Sequence, residues 1–324
     1  MEGNKDAMEQ ENIESEKETK SEMSSEAKER SIDLNCDLGE WDADDPNPDQ
    51  QLRDRAIMPF VSSVNIACGG HRGDADSLKA TMEQAAVLDL AIGLHPSFMD
   101  RDGFGRIEGY WNHYLADGIR RQLDLGRKVA EELGLNIHHI KPHGALYNLA
   151  ARDDDWAEKL WALWRSWDEE VLVYGLSGSE VSKGLGLDVV RVPKAGSDSE
   201  SAGDAGDAGD AGDAGDEKAQ NSLMDFGIDI QSGYRAEVFA DRTYEPNLQL
   251  RPRDLPGAVI ENSNELEQQL KDLVLDGRVL CTDGVYRRLE VDTICLHSDT
   301  PGAVEFAQAI AARLRDWEVE VRPC

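Results

Sequence analysis

An alternation of two periodicities constrains this chain more than any other feature. Strand-like runs occupy residues 32–36, 61–67, 90–94, 137–140, 171–174, 236–239 and 291–296. Between and after them lie stretches of helical pattern at 74–88, 112–133, 153–167, 179–183, 264–275 and 303–317. Asp74 opens one helix as an acidic cap, and Thr300-Pro301 opens the last. Strands alternating with helices over residues 31–190 and 227–324 indicate an α/β fold, a parallel sheet covered by helices. The length suits a single-domain (β/α) barrel, with a doubly wound open sheet as the alternative. No GxGxxG follows the first strand and the chain holds no GxxxxGK[ST], so the usual nucleotide-binding loops are missing from the sequence.

Two segments do not belong to this pattern. Residues 1–30 carry ten acidic and five basic side chains and have almost nothing to bury, so a disordered acidic tail is expected. Residues 202–216 repeat Ala-Gly-Asp five times, within an insertion at about 191–226. Gly and Asp at this density build no core, and like charges keep the segment extended. A calcium loop needs mixed ligands and a glutamate at fixed spacing, which the repeat lacks.

The net charge is −31 over 324 residues, and the body stays acidic once both segments are set aside. Such a surface repels phosphate backbones, so a nucleic-acid partner is not expected. With 12 lysines against 22 arginines, the acidic, lysine-poor surface suggests a salt-rich cytoplasm. Five scattered cysteines without a CxxC pair read as reduced thiols in the cytoplasm. No apolar leader and no run of 18 apolar residues are present, so no membrane association is expected.

In a (β/α) barrel the reacting groups gather at the C-terminal ends of the strands. Asn35, Asp37 and Glu40 follow the first strand; Asn65, His71 and Asp74 follow the second. His95, Asp100, Asp102 and Arg106 follow the third, and Lys141 and His143 the fourth. Glu237, Asp241 and Arg242 accompany the run at 236–239, and His297 and Asp299 the last. Lys141 and His143 flank Pro142. If strand geometry persists through the proline, both side chains face the same way, and the ammonium should lower the imidazole pKa. A histidine such as His113 or His138 is ordinarily a solvated or hydrogen-bonded surface group. Asp74 and Asp299 serve equally well as helix caps.

Two chemistries fit these groups. Carboxylates and imidazoles can move protons while water attacks an amide, with Lys141 and Arg242 stabilising the oxyanion. Alternatively, several histidines and Asp37 can hold a divalent metal that activates the water. No HExxH spacing is present, and the one HxxxH, His139 to His143, falls on a strand-like run where it does not put both rings on one helix face, so a metal would have to be assembled from separate strands.

The motifs DLNCDLGE, VNIACGGHRGD, GLHPSFMDRDGFGR, IKPHGALYN, AEVFADRTY and CLHSDTPGA together resemble the LamB/YcsF family, the A subunit of bacterial ATP-dependent 5-oxoprolinase. The resemblance covers residues 31–324 outside the repeat. It implies a distorted barrel related to the sugar-deacetylase barrels. It also implies hydrolytic opening of 5-oxoproline to glutamate, with ATP, carried as its Mg²⁺ complex, consumed alongside separate subunits B and C. On that basis Asp37, His71, His95, Lys141, His143, Glu237 and Asp241 are expected to be catalytic. Glu40, Asn65, Asp74, Asp100, Arg106, Arg242, His297 and Asp299 are expected to hold substrate. The chain departs from the family pattern at Gly70, where an aromatic is expected, and at Arg72, where a small residue is expected. A metal-dependent amidohydrolase or deacetylase acting alone, and a non-catalytic regulatory subunit, are the competing readings.

Overall fold

The computed structural model describes residues 30–179, 191–192 and 233–324. The expected acidic tail, most of the repeat insertion and nearly all of the expected helix at 179–183 lie outside the described residues. Seven parallel strands close on themselves: β1 (Arg30–Leu38), β2 (Ser63–Ala67), β3 (Ala91–His95), β4 (His139–Ile140), β5 (Leu172–Leu176), β7 (Tyr234–Phe239) and β10 (Thr293–His297). Closure runs through β1 and β10, with Asp33 opposite Thr293 and Asp37 opposite His297. The result is the expected barrel and not the open sheet. The first residues of β1 pair instead with β11 (Val319–Val321), beyond the seven-strand closure. Short strands β6 (Arg191–Val192), β8 (Arg278–Leu280) and β9 (Tyr286–Arg288) form a small antiparallel sheet that the sequence pattern does not reveal.

Helices α1 (Pro48–Ile57), α2 (Ala75–Val87), α3 (His113–Leu133), α4 (Gly144–Arg152), α5 (Asp154–Trp167), α6 (Ser263–Asp276) and α7 (Ala303–Asp316) surround the barrel. Side-chain caps set several of their starts. Asn47, Asp74, Asn112, Asp153 and Asn262 each accept a backbone N–H of the first turn. Gly134 and Gly277 end α3 and α6 in the left-handed conformation.

The apolar core lies between strands and helices. Leu34, Cys36, Leu38, Val64, Ile66, Leu94, Val238 and Ile294 are buried with Leu78, Met82, Leu123, Leu160, Leu270 and Ile310 from the helices. The barrel interior is polar. β1 reads Asp-Leu-Asn-Cys-Asp-Leu, so its polar side chains share one face and its apolar ones the other. Asn35 donates to Glu237 at 2.9 Å and to Thr293 at 2.6 Å, and Asn65 donates to Asn35 at 2.7 Å. β1 and β7 flank β10, so the Asn35–Glu237 bond spans the inner face of the strand between them. His139 bonds Asn65 Oδ1 through Nε2 at 2.7 Å and stacks on Tyr174. A Cβ at Gly93 would fall 2.1 Å from His139 Nε2, so the bare glycine makes room for the ring.

Candidate active site

At the C-terminal mouth of the barrel lies a cavity of about 830 Å³. Of the residues expected to form a site, Asp37, Glu40, His95, Arg106, Lys141, His143, Arg242, His297 and Asp299 line it. Strand geometry does persist past Pro142. Lys141 and His143 both donate backbone N–H groups to the β3 side, to Leu94 and Pro96. Their side chains therefore enter the same cavity.

The floor is built around Lys141. Its ammonium lies 2.8 Å from Asp37 Oδ1, 3.1 Å from Glu237 Oε1 and 2.9 Å from Cys295 Sγ. Burial alone would pull this lysine down, but Asp37, Cys295 and Glu237 together hold it well above its ordinary pKa. Burial pushes Asp37 up; His95 and Lys141 outweigh that and hold it well below the usual carboxylate range. Glu237 is raised by burial, with Lys141 partly opposing the rise. With Asn35 Oδ1 also at 3.4 Å, Lys141 faces four acceptors with three protons and has none left for a substrate oxyanion. It fixes Asp37 instead.

Beside the floor stand three imidazoles and Glu40. His95 donates from Nδ1 to the Lys141 carbonyl at 2.7 Å. His143 donates from Nε2 to the Phe104 carbonyl at 2.9 Å. His71 reaches Ser97 Oγ from Nδ1 at 3.0 Å, and its ring stacks on His143 at 3.6 Å. The remaining ring nitrogens face one another and the acids. His95 Nε2 lies 2.9 Å from His143 Nδ1 and 3.4 Å from Asp37 Oδ2, and His71 Nε2 lies 3.0 Å from Glu40 Oε1. Burial holds His95 down at about 3, and His71 and His143 well below the ordinary value. For His143 the expected direction is found with a different cause: burial first, then the charge of His71, with Arg106 adding to it. Burial, with Asp37 and Asp299 nearby, pushes Glu40 up to about 8.

On the opposite wall, His297 faces Asp241. Nδ1 lies 3.0 Å from Asp241 Oδ1, and Thr300 Oγ1 donates to Oδ2 at 2.5 Å. Burial raises Asp241, but His297 and Thr300 outweigh it and hold the carboxyl at about 2. At the rim, Asp299 sits 3.0 Å from Arg106 and 3.6 Å from Arg253.

Several expected assignments change. Asp74 is the N-cap of α2, accepting from Ala43, Asp76 and Ser77, and does not line the cavity. Asp100 accepts from the Gly103 N–H and holds its own turn. Asn65 lies in the barrel interior, and His71, Glu237 and Asp241 stand behind the cavity wall and position residues that do line it. Arg242 directs Nε and Nη2 to the carbonyls of Ala258 and Arg251, so it braces the following loop and is not a free oxyanion donor. Burial, then Arg253, lowers it to about 10. At Gly70 a Cβ would fall 2.2 Å from Ser97 Oγ and 2.4 Å from Gln122 Oε1. Gln122 takes that space and clamps the Ser97 backbone at both N and O. Arg72 turns away toward Asp42, at 3.6 Å. Cys295 beneath the floor and Arg253 at the rim join the site without having been expected there, and His139 joins the interior network behind it. Cys295 and His297 share a strand face at period two, which is the signal that could have found the cysteine.

The LamB/YcsF family profile matches residues 32–201 and 217–324. Proteins named as the A subunit of 5-oxoprolinase, from Tolumonas auensis and Chloroflexus aggregans, are 34% identical to it over 292 and 293 residues. Each alignment covers 90% of this chain and 98% of the relative. The crystal structure of a lactam utilization protein from Thermus thermophilus superposes with a TM-score of 0.70 at 28% identity, covering 91% of this chain and 100% of that one. The chain belongs to the LamB/YcsF family.

Proposed function

We propose that this chain opens the lactam ring of 5-oxo-L-proline to L-glutamate, as the A subunit of an ATP-dependent 5-oxoprolinase working with subunits B and C. The observation that carries the reading is a pair of acid–base units facing one cavity. Asp37, kept ionised with Lys141 2.8 Å away, is placed to take a proton from attacking water. His297, oriented by Asp241 at 3.0 Å, presents its other nitrogen to the cavity and can give a proton to the departing ring nitrogen. Arg106 and Arg253 flank the rim and can take the substrate carboxylate. A five-membered lactam is an unactivated amide whose closure is entropically favoured, so opening needs a driving force. The chain has no glycine-rich phosphate loop, consistent with ATP being handled together with the partner subunits. That the relatives are named as one subunit of an enzyme supports such partners.

The test is glutamate release from 5-oxoproline by the chain with matched partner subunits and ATP. No glutamate from that complete mixture would sink the proposal. A second reading, amide hydrolysis by this chain alone, draws on the three neutral imidazoles beside Glu40. Turnover without ATP and without partners would favour it.

A further inference from the structure

We infer that His71, His95, His143 and Glu40 hold one divalent transition-metal cation at the barrel mouth. The inference stands on hydrogen-bond bookkeeping and goes beyond the lactam reading. A neutral imidazole has one N–H and one lone pair. The Lys141 and Phe104 carbonyls can only accept, so His95 carries its proton on Nδ1 and His143 on Nε2. Ser97 Oγ donates its own proton to the Phe98 carbonyl at 2.9 Å, so it accepts from His71 Nδ1. All three remaining nitrogens are therefore bare. Two of them, His95 Nε2 and His143 Nδ1, meet lone pair to lone pair at 2.9 Å. The third points at Glu40 Oε1, 3.0 Å away, and that oxygen is 3.6 Å from His143 Nδ1.

The His95–His143 contact needs a cation or an extra proton between its two lone pairs, whereas a Glu40 kept protonated by burial can itself donate to His71. A proton on the histidine pair would make a buried imidazolium close to Lys141 and Arg106. A metal can take the place of that proton between His95 and His143 and gather Glu40, and it takes His71 as well once that ring tilts out of its parallel stack on His143. The four donor atoms lie within 4.8 Å of one another. With ligand bonds of roughly 2.0–2.2 Å, adjacent donors around a tetrahedral or octahedral ion sit about 2.9–3.5 Å apart. Three of the donor pairs, at 2.9, 3.0 and 3.6 Å, lie close to that range. Imidazole nitrogens with one carboxylate suit Zn²⁺, Co²⁺ or Ni²⁺ better than Ca²⁺ or Mg²⁺. The outward bonds to Ser97 and the two carbonyls fix the tautomers, as outer partners of metal-bound histidines do. Glu40, His95 and His143 line the cavity, so the site has an open side toward substrate, as catalytic sites do.

The probe is Co²⁺ alone, added to chelator-stripped full-length chain and followed by its visible ligand-field absorption. Saturation at one equivalent is expected. His95→Ala and the near-isosteric Glu40→Gln should each weaken binding more than tenfold, and Ser97→Ala by about 10–100-fold. Circular dichroism checks that each variant is folded, and His113→Ala should bind as the parent does. No stoichiometric binding by folded chain, or equal binding by both ligand variants, overturns the site. Binding without glutamate release in the complete mixture leaves the metal site standing and removes the lactam reading. Release by stripped chain that binds no Co²⁺ does the reverse.

Discussion

Replacing Lys141 with methionine keeps most of the stem volume and deletes the ammonium. Asp37 Oδ1 and Glu237 Oε1, at 2.8 and 3.1 Å, then lose a shared buried counter-charge. Breaking a buried ion pair from one side costs about 3–5 kcal/mol, because the surviving charge stays buried. Against a typical total of about 5–15 kcal/mol that is severe. At about 2–4 °C per kcal/mol for a domain of this size, the melting temperature should fall by roughly 6–20 °C. The pH dependence identifies the cause. Glu237 is already raised by burial and restrained by Lys141; without the lysine it rises further. A carboxyl with a raised folded pKa stabilises the fold at low pH and loses that contribution as pH rises. Lys141 is itself held well above its ordinary value, so the parent's ammonium is unchanged between pH 5 and 8. The stability gap between parent and variant should therefore be largest at pH 8 and shrink toward pH 5. Adding Glu237→Gln should recover about 1–3 kcal/mol. Urea denaturation of the three proteins at both pH values measures all of this. A cost below about 1 kcal/mol, or a gap that does not move with pH, would refute the argument that Lys141 is the counter-ion of the barrel floor.

His143→Ala should lower kcat at least about tenfold, because it removes a ring that lines the cavity and supplies one of the four converging donors, while His113→Ala, exposed at the start of α3, should leave steady-state rates unchanged. Asp74→Ala should cost about 1 kcal/mol in thermal unfolding through loss of the α2 cap, with kcat unaltered. Asp241→Asn should cost about 2 kcal/mol at pH 7, since the folded carboxyl titrates at about 2 and not at 3.8. That contribution is present above pH 4 and lost as pH falls through 2, so acid unfolding curves of parent and variant should converge there.

Much of this arrangement is legible in the sequence because strand runs and strand-end motifs are local signals. The barrel strands fall where the apolar runs place them, and the residues following them reach one mouth. Helix α1 is not legible, although Asn47-Pro48 is a good start signal. It buries Gln50, which donates to both Asp54 and Ser298, and Asp54, which also accepts from the Gly39 N–H, so no apolar stripe marks it. Helix α4 is hidden because its first residues continue the Lys-Pro-His motif without a side-chain cap. His138 is half-buried against the Cys324 carbonyl, and its neighbour His139, which no motif marks, sits at the centre of the barrel. Alternation along a strand gives two faces but not which of them turns inward. The cap role of Asp74 is local and legible, but the role of Lys141 depends on Asp37, Glu237 and Cys295, roughly 100 or more residues away, which spacing along one chain does not disclose.

The inside-out alternation of β1 divides the barrel wall by how it can change over evolutionary time. Outward side chains such as Leu34 and Ile294 meet only other apolar groups, and volume-conserving exchanges there are cheap one at a time. Inward side chains have no such freedom. Exchanging Asn65 for leucine would strand Asn35, Asp37 and His139 together, since all three bond to it. Lineages of this barrel should therefore carry the inner set as a block, or alter several members at once, while the outer set drifts residue by residue along the same strands. Paired changes among positions 35, 65 and 139 are the mark such a history would leave.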